Sequence, residues 1–157
     1  MPVLIGIAVI SHERFIKRAY CLARKAQANG DHPFSAMLVI DGEVVLECLN
    51  TVNTSGDVTR HPELDILRLA ATKLSRVDLD RATLYSSTEP CAMCSGAIYW
   101  SGISKLVYGC PAETLGEIAG GSFVVPSREL FSRGKREIEV IGPVLPEEGA
   151  EIHRKYW

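Results

Sequence analysis

Residues 82–100 read ATLYSSTEPCAMCSGAIYW, and this stretch contains the two patterns that decide the fold. Residues 82–87 form a strand-like run, and residues 91–100 are predicted to form a helix. Because Cys91 and Cys94 are one helical turn apart, they can face the same side of that helix. The N-terminal end of a helix also carries a partial positive charge that favours thiolates. The stretch therefore predicts a strand followed by a helix whose first turn presents two thiolate ligands.

The rest of the chain alternates between the same two kinds of element. The first helix is predicted from Ser11, its N-cap, to the stop signal Asn29-Gly30, and Asp41-Gly42 is a strong hairpin signal. A polar loop over 50–60 leads to His61. Further strands and helices are predicted at 34–40, 43–49, 62–74, 105–109, 126–131, 137–141 and 146–157. This alternation predicts an α/β protein with helices on both faces of a sheet.

Composition narrows the class of protein. With 157 residues, 46% of them hydrophobic, the chain is expected to form one domain over 1–157. The apolar stretch 3–10 is too short to span a membrane and lacks a basic leader, so a cytoplasmic protein without membrane contact is expected. The formal charge is −2, with no basic run, which disfavours a nucleic-acid partner and favours a small substrate. Five cysteines, an odd number, favour a metal site over a disulfide framework.

A second motif, His61-Pro62-Glu63, opens the helix predicted at 62–74. His61, Cys91 and Cys94 provide three zinc ligands and leave one tetrahedral position open, as in catalytic zinc sites. Zinc lowers the pKa of a bound water to about 7, and Glu63 is placed to carry its proton to the substrate. The combination of H-x-E with P-C-x-x-C is the known signature of zinc deaminases. The sequence thus predicts one Zn²⁺ per chain and hydrolytic release of ammonia.

The histidines and cysteines also allow less specific interpretations. A structural zinc site usually has four protein ligands, often from a second Cys-x-x-Cys pair, which this sequence lacks. Lone histidines are usually surface residues or satisfied core residues, and lone cysteines usually behave as small buried hydrophobes. These expectations apply to the remaining histidines and cysteines, namely His12, His32, His153, Cys21, Cys48 and Cys110.

The sequence resembles the cytidine deaminase-like superfamily, in particular the branch of guanine, cytosine and tRNA adenosine deaminases. The resemblance covers most of the chain and is carried by residues 33–36, Asn50, 61–63, 84–94 and 96–100. It implies a three-layer α/β/α sandwich around a five-stranded mixed sheet, and a homodimer. It also implies that the C-terminal segment closes over the pocket, from the same chain or by swapping to the partner subunit.

The resemblance further implies a set of substrate-binding residues. Asn50 matches the asparagine that hydrogen-bonds the base, and its alternative role is that of a turn residue. The C-terminal aromatics are expected to form a lid, with ordinary packing as the alternative. The residues expected at the pocket are Asn50, Phe34, Pro62, Ser87, Trp100, Tyr156 and Trp157.

The sequence departs from the family pattern in three places, Pro62, the pair Gly120-Gly121 and Asp65. Pro62 replaces a small residue whose backbone N–H donates to substrate, and proline has no such hydrogen. Gly120-Gly121 stand where guanine deaminase has an acidic pair before a Ser-Phe step, which argues against guanine as the main substrate. Asp65 is either a replacement polar contact or, as the sequence favours, a solvated helix residue.

Three functions compete at this point. The favoured one is deamination of a free base such as cytosine, guanine or isoguanine. The second is adenosine editing in tRNA, which needs phosphate contacts and hence a basic rim. The third is a non-catalytic zinc-binding module, which would normally have lost the acid at position 63; Glu63 argues against it.

Overall fold

The computed structural model describes the backbone of residues 2–157 and the side chains of residues 12–157. Its centre is a five-stranded mixed sheet in the order β2-β1-β3-β4-β5. Strand β1 is antiparallel to both β2 and β3, whereas β3, β4 and β5 are parallel to one another. The strands are β1 Ser35–Ile40, β2 Glu43–Leu49, β3 Thr83–Thr88, β4 Lys105–Cys110 and β5 Glu139–Ile141.

Helices cover both faces of this sheet. They are α1 Pro2–Ala28, α2 Val52–Ser55, α3 Pro62–Lys73, α4 Arg76–Arg81, α5 Ala92–Ser101, α6 Ala112–Ala119, α7 Ser127–Phe131 and α8 Pro146–Tyr156. One core cluster packs Ile66 of α3, Ile98 of α5 and Phe131 of α7 against the sheet. The cluster on the other face packs Phe15 of α1 and Ile152 of α8 against it. The predicted α/β/α sandwich with a five-stranded mixed sheet is therefore confirmed.

The hairpin between β1 and β2 forms at the predicted turn. Asp41 and Gly42 have φ values of 51° and 79°, the positive pair that a two-residue type I′ turn requires. Every residue of β1 is buried because helices cover both of its faces. Strand β2 lies at the sheet edge, and most of its residues alternate between exposed and partly buried.

Several predicted boundaries were wrong. Helix α1 begins at Pro2, so Ser11 lies inside it and is not its N-cap; the Ser11 side chain lies outside the described residues. Helix α2 falls in the segment 50–60, which was predicted to be a loop, and helices α4 and α6 fall in segments for which no element was predicted. The apolar repeat of Leu64, Leu67 and Ala71, which suggests the buried face of the helix at 62–74, does not form it in α3. Ala71 is exposed, and the buried residues of this helix include Glu63 and Ile66.

Among the helices that the structure describes, none combines the length and apolarity needed to cross a lipid bilayer. The fold also brings the ends of β3 and β4 together, since they pair in parallel up to Thr88 and Cys110. The Glu89 N–H extends this pairing by donating to the Cys110 carbonyl at 2.7 Å. The residues that follow β3 are thereby fixed at one edge of the sheet, where α5 begins.

Candidate active site

Two helix N-termini meet at this edge of the sheet. His61 is the extended N-cap residue of α3, and Pro62 occupies the first helical turn, where its missing N–H costs no helical hydrogen bond. Cys91 is the extended N-cap residue of α5, and Cys94 lies in the first turn of that helix. Because α3 and α5 pack against each other, the imidazole and the two thiols converge.

The spacing of these three side chains fits a zinc ion. The His61 Nδ1 atom lies 3.7 Å from the Cys91 sulfur and 3.5 Å from the Cys94 sulfur. A tetrahedral zinc with Zn–N of about 2.0 Å and Zn–S of about 2.3 Å separates a nitrogen and a sulfur ligand by about 3.5 Å. All three ligand atoms lie within 4.8 Å of one another. The donor set and its dimensions are therefore those of a Cys₂His zinc site with one open position.

The pKa values of the two thiols shift in opposite directions. A hydrogen bond from Cys94 lowers the pKa of Cys91 to about 4, whereas the neighbouring Cys91 and burial raise the pKa of Cys94. Such a pair holds one proton between two sulfurs. A bound cation takes the place of that proton, so the pair suits a metal that needs two thiolates.

Glu63 lies beside the ligands but is not one of the three. It is buried, its Oε1 accepts a hydrogen bond from Ser86 at 2.6 Å, and its Oε2 lies 3.6 Å from the Cys94 sulfur. Burial raises its pKa, which favours a carboxyl that holds a proton. A buried acid beside an open metal position is placed for proton transfer.

A cavity of about 140 Å³ opens beside Cys91. Apolar side chains from α6 and the loop after it form most of its wall, and Trp157 at the end of the chain closes one side. Its lining residues are Glu89, Cys91, Ala112, Leu115, Gly116, Ala119, Gly121, Phe123, Val124, Val125 and Trp157. None of them is basic.

Comparison with known proteins agrees with this geometry. Residues 9–110 match the cytidine and deoxycytidylate deaminase zinc-binding region, and this match includes His61, Glu63, Cys91 and Cys94. The chain belongs to this family. It is a zinc-binding hydrolase that acts on C–N bonds, as the sequence predicted.

Individual relatives of the deaminase differ in the substrate that they are named for. A probable cytosine deaminase from Schizosaccharomyces pombe is 36% identical over 148 residues, which cover 91% of this chain and 90% of the relative. A tRNA-specific adenosine deaminase from Bacillus subtilis is 34% identical over 136 residues, which cover 87% of this chain and 82% of the relative. The structure of a guanine deaminase from Nitrosomonas europaea aligns with a TM-score of 0.80 at 25% identity, covering 92% and 83%.

The deaminase holds Asn50 and Ser87 in internal hydrogen bonds. Asn50 is 1% exposed, and its Oδ1 accepts from the Val52 N–H at 3.0 Å, the turn contact that was its alternative role. This contact orients the amide and leaves its Nδ2 hydrogens as donors. Ser87 Oγ accepts from the Ser35 N–H at 3.0 Å, which ties β3 to β1.

The aromatic residues predicted at the pocket fall in different places. The ring centroids of Phe34 and His153 lie 5.2 Å apart, and Trp157 lines the cavity. Trp100 is 84% exposed near the far end of α5, about two and a half turns from Cys91, so the single chain does not place it at the site. Tyr156 ends α8 and Trp157 follows it, and this helix packs on α1, α6 and β4.

Sequence reasoning misjudged several residues around the site. Asp65 is only 8% exposed and pairs with Arg60 and Arg68 at 3.2 and 3.3 Å, so it is not a solvated helix residue. Cys21 is exposed, not buried as expected, whereas Cys110 is buried.

Glu89 was also overlooked, whereas His153 is a core histidine, one of the two alternatives expected for it. The buried Glu89 carboxylate accepts from the Ala112 N–H and from both the N–H and the hydroxyl of Ser127, so it holds the starts of α6 and α7. His153 is buried, and its Nε2 is joined to the Thr88 hydroxyl at 2.8 Å. Glu89 had a local sequence signal, because it lies directly before the P-C-x-x-C motif. His153 had none.

Proposed function

We propose that the protein deaminates a free nucleobase, cytosine-, guanine- or isoguanine-like, and converts its amino group to an oxo group with release of ammonia. The observation that carries this proposal is the cavity beside Cys91. It is small and largely apolar, it is closed on one side by Trp157, and no lysine or arginine lines it. A planar base without phosphate fits such a pocket better than a nucleotide of RNA, because phosphates require basic contacts.

In this reaction His61, Cys91 and Cys94 hold the zinc ion. When bound, zinc supplies the Lewis acidity that makes a water molecule nucleophilic at neutral pH. The Glu63 carboxyl group would take a proton from the attacking water as the water oxygen bonds to the amino-bearing carbon, and would deliver it to the adjacent ring nitrogen. It would then pass the second proton of that water to the amine as the C–N bond breaks, so one water would be consumed for each ammonia released and the oxygen would remain as the oxo group. The Ser86 hydroxyl holds Glu63 in place through its bond to Oε1.

Substrate orientation is proposed to come from Asn50, Phe34 and Trp157. The Asn50 amide is fixed by Val52, so its free Nδ2 hydrogens suit an oxygen or nitrogen acceptor on the base. Phe34 supports the adjoining aromatic cluster, and the Trp157 ring supplies a flat apolar wall. We assign the base-binding role to Trp157 because it lines the cavity, and to Asn50 and Phe34 because they match the base-binding positions of the family pattern.

Editing of adenosine in tRNA is the second candidate, favoured by the similarity to a tRNA-specific relative. Charge on the C-terminal helix argues against it. Arg154 pairs with Glu147 and Glu151, and Lys155 pairs with Glu151, so these cations are already balanced by acids on the same helix. Such a surface lacks the excess positive charge that tRNA binding needs.

Ammonia release from a substrate panel tests the proposal. The zinc-loaded protein is assayed with cytosine, guanine, isoguanine and adenine, with the matching nucleosides, and with tRNA. The proposal predicts that the best free base exceeds its nucleoside and tRNA by at least tenfold in kcat/KM. Preferred turnover of tRNA, or of nucleosides over bases, would contradict it.

A further inference from the structure

His32 is the residue on which the C-terminal end of the chain docks. Its Nδ1 and the Tyr156 hydroxyl are joined by a hydrogen bond of 2.8 Å. The indole of Trp157 stacks on the same imidazole, with ring centroids 5.1 Å apart and an angle of 24° between the planes. Tyr156 and Trp157 are also in edge contact at 4.7 Å. One imidazole thus contacts both aromatic residues that end the chain.

The loop that carries His32 is itself held rigidly. The buried Asp31 carboxylate accepts from the N–H and the hydroxyl of Thr54 at 2.9 and 2.8 Å. Asn53 donates to the Gly30 carbonyl at 3.2 Å, and the Phe34 N–H donates to the His32 carbonyl at 2.8 Å. Residues on both sides of His32 are therefore held by contacts that do not involve Tyr156 or Trp157.

Trp157 connects this support to the active site. Its indole lines the cavity that also contacts Cys91, yet it remains 50% exposed and has little packing of its own. An exposed ring beyond the end of α8 needs a partner to hold it at one angle. The stack on His32 and the neighbouring Tyr156 bond supply that partner within the same chain.

We propose that His32 is a positioning residue for deamination, which docks Tyr156 and Trp157 of its own chain and so places the Trp157 ring as a wall of the substrate cavity. This inference rests on the proposed free-base function, because it assigns Trp157 to the substrate site. Each of the two contacts is expected to contribute, since the hydrogen bond fixes Tyr156 and the stack fixes the angle of the indole.

Fluorescence quenching measures the docking separately from catalysis. The chain has two tryptophans, Trp100 and Trp157, so a Trp100→Phe background leaves Trp157 as the sole reporter. In this background His32→Leu removes both contacts, His32→Asn keeps a hydrogen-bonding group, and His32→Phe keeps the ring. Acrylamide quenching of Trp157, zinc content, kcat and KM are measured for each protein with the free base that the Trp100→Phe parent turns over fastest.

His12 offers a matched control. Its Nδ1 is also joined to a tyrosine hydroxyl, that of Tyr85, at 2.8 Å, and it too is partly buried. Successive strand residues point to opposite faces, so Tyr85 lies on the face opposite Ser86 and Glu63. His12→Leu is therefore expected to leave the quenching of Trp157 and kcat/KM unchanged.

The proposal predicts that His32→Leu keeps its zinc, that acrylamide quenches Trp157 more strongly, and that kcat/KM falls about 10- to 100-fold, mostly through KM. His32→Asn and His32→Phe are expected to lie between parent and His32→Leu in both quenching and kcat/KM. Unchanged quenching in His32→Leu would contradict docking by His32, and stronger quenching with unchanged kcat/KM would contradict its positioning role. Absence of turnover of any free base by the unmodified protein would instead contradict the proposed function.

Discussion

Cys91 and Cys94 differ from the other cysteines because, among the described residues, only they belong to a cluster of three potential metal ligands, which His61 completes. We predict that Cys91→Ala and Cys94→Ala lose most bound zinc and all measurable deamination, since two ligands cannot replace three. The exposed Cys21 provides the control, because Cys21→Ser should keep both. Zinc content by atomic absorption decides the matter, and full occupancy in either alanine variant would contradict the ligand assignment.

Pro62 is the residue that departs most clearly from the family pattern. It lies buried in the first turn of α3, between His61 and Glu63. Pro62→Ala restores a backbone N–H beside the site and keeps a good helix former, so stability should change by less than about 1 kcal/mol. Relative kcat/KM values across the base panel should change at least several-fold. An unchanged substrate profile would show that this backbone position takes no part in recognition.

Residue-level prediction succeeded where spacing along the chain carries the geometry. The cluster of His61, Cys91 and Cys94 could be found because each motif lies within one helical turn of a helix start, and the catalytic role of Glu63 stays a prediction. His32 could not be found in this way, because its partner Tyr156 is 124 positions away. Only the packing of α8 brings the two together, and no local pattern encodes that contact.

At the scale of elements, Glu89 links the metal-binding segment to two helices. Its Oε2 accepts from Ala112 at 2.9 Å, and its Oε1 accepts from the N–H and hydroxyl of Ser127, each at 2.7 Å. Glu89→Gln would place an amide NH₂ against one of these N–H donors. We predict a loss of about 1.5–3 kcal/mol in the free energy of unfolding, as for other charge-assisted hydrogen bonds.

Urea unfolding of the zinc-loaded protein measures this loss. Glu113 is an exposed glutamate in the first turn of α6 and makes a suitable comparison. Glu113→Gln is expected to change the free energy of unfolding by less than about 0.5 kcal/mol. Equal stabilities for the two variants would remove the bracing role of Glu89.

The strands and long helices were largely predictable, whereas the short helices were not. The strand-like runs on either side of the Asp41-Gly42 turn predict β1 and β2, and the helical spacing of apolar residues predicts most of α1. Short helices such as α2 and α6 depend on tertiary contacts more than on intrinsic propensity, so their sequences carry a weak signal. Helix α4 had a local signal that was missed, the Ser75–Asp78 capping box.

At the scale of the whole molecule, the buried His153 couples stability to pH. Burial lowers its pKa to about 4, while the unfolded chain has an ordinary histidine with a pKa of 6.5. Between these values the unfolded state binds a proton that the folded state does not. The stabilisation from neutral His153 is therefore complete above about pH 6.5 and is lost as pH falls towards 4, by about 3 kcal/mol in all.

His153→Gln removes this titration while keeping a group that can bond to Thr88. Its free energy of unfolding should fall less steeply than that of the unmodified protein between pH 6.5 and pH 4. The difference between the two pH profiles isolates His153 from the carboxylates and the zinc ligands, which both proteins share. Parallel profiles would contradict the assignment of this pH dependence to His153.

Assembly is the remaining whole-molecule question, and we propose that the protein is a homodimer. Met93 and Trp100 are seven residues apart on α5, so they share a helix face, and they are 40% and 84% exposed. An exposed tryptophan beside another large apolar side chain is typical of an interaction surface. Sedimentation should give twice the chain mass, and Trp100→Glu should shift the protein towards monomer; a monomeric parent protein would contradict this.

The central claim is that Glu63 transfers protons during zinc-dependent deamination without binding the metal. Glu63→Gln keeps the size of the side chain and an oxygen that can bond to Ser86 but cannot take up a proton at the site. The measurement is ammonia release from the best free base, with zinc content determined on the same preparation. We predict one zinc per chain and a kcat lower by about 10²- to 10⁴-fold. Near-normal turnover, or loss of zinc from this variant, would contradict the account.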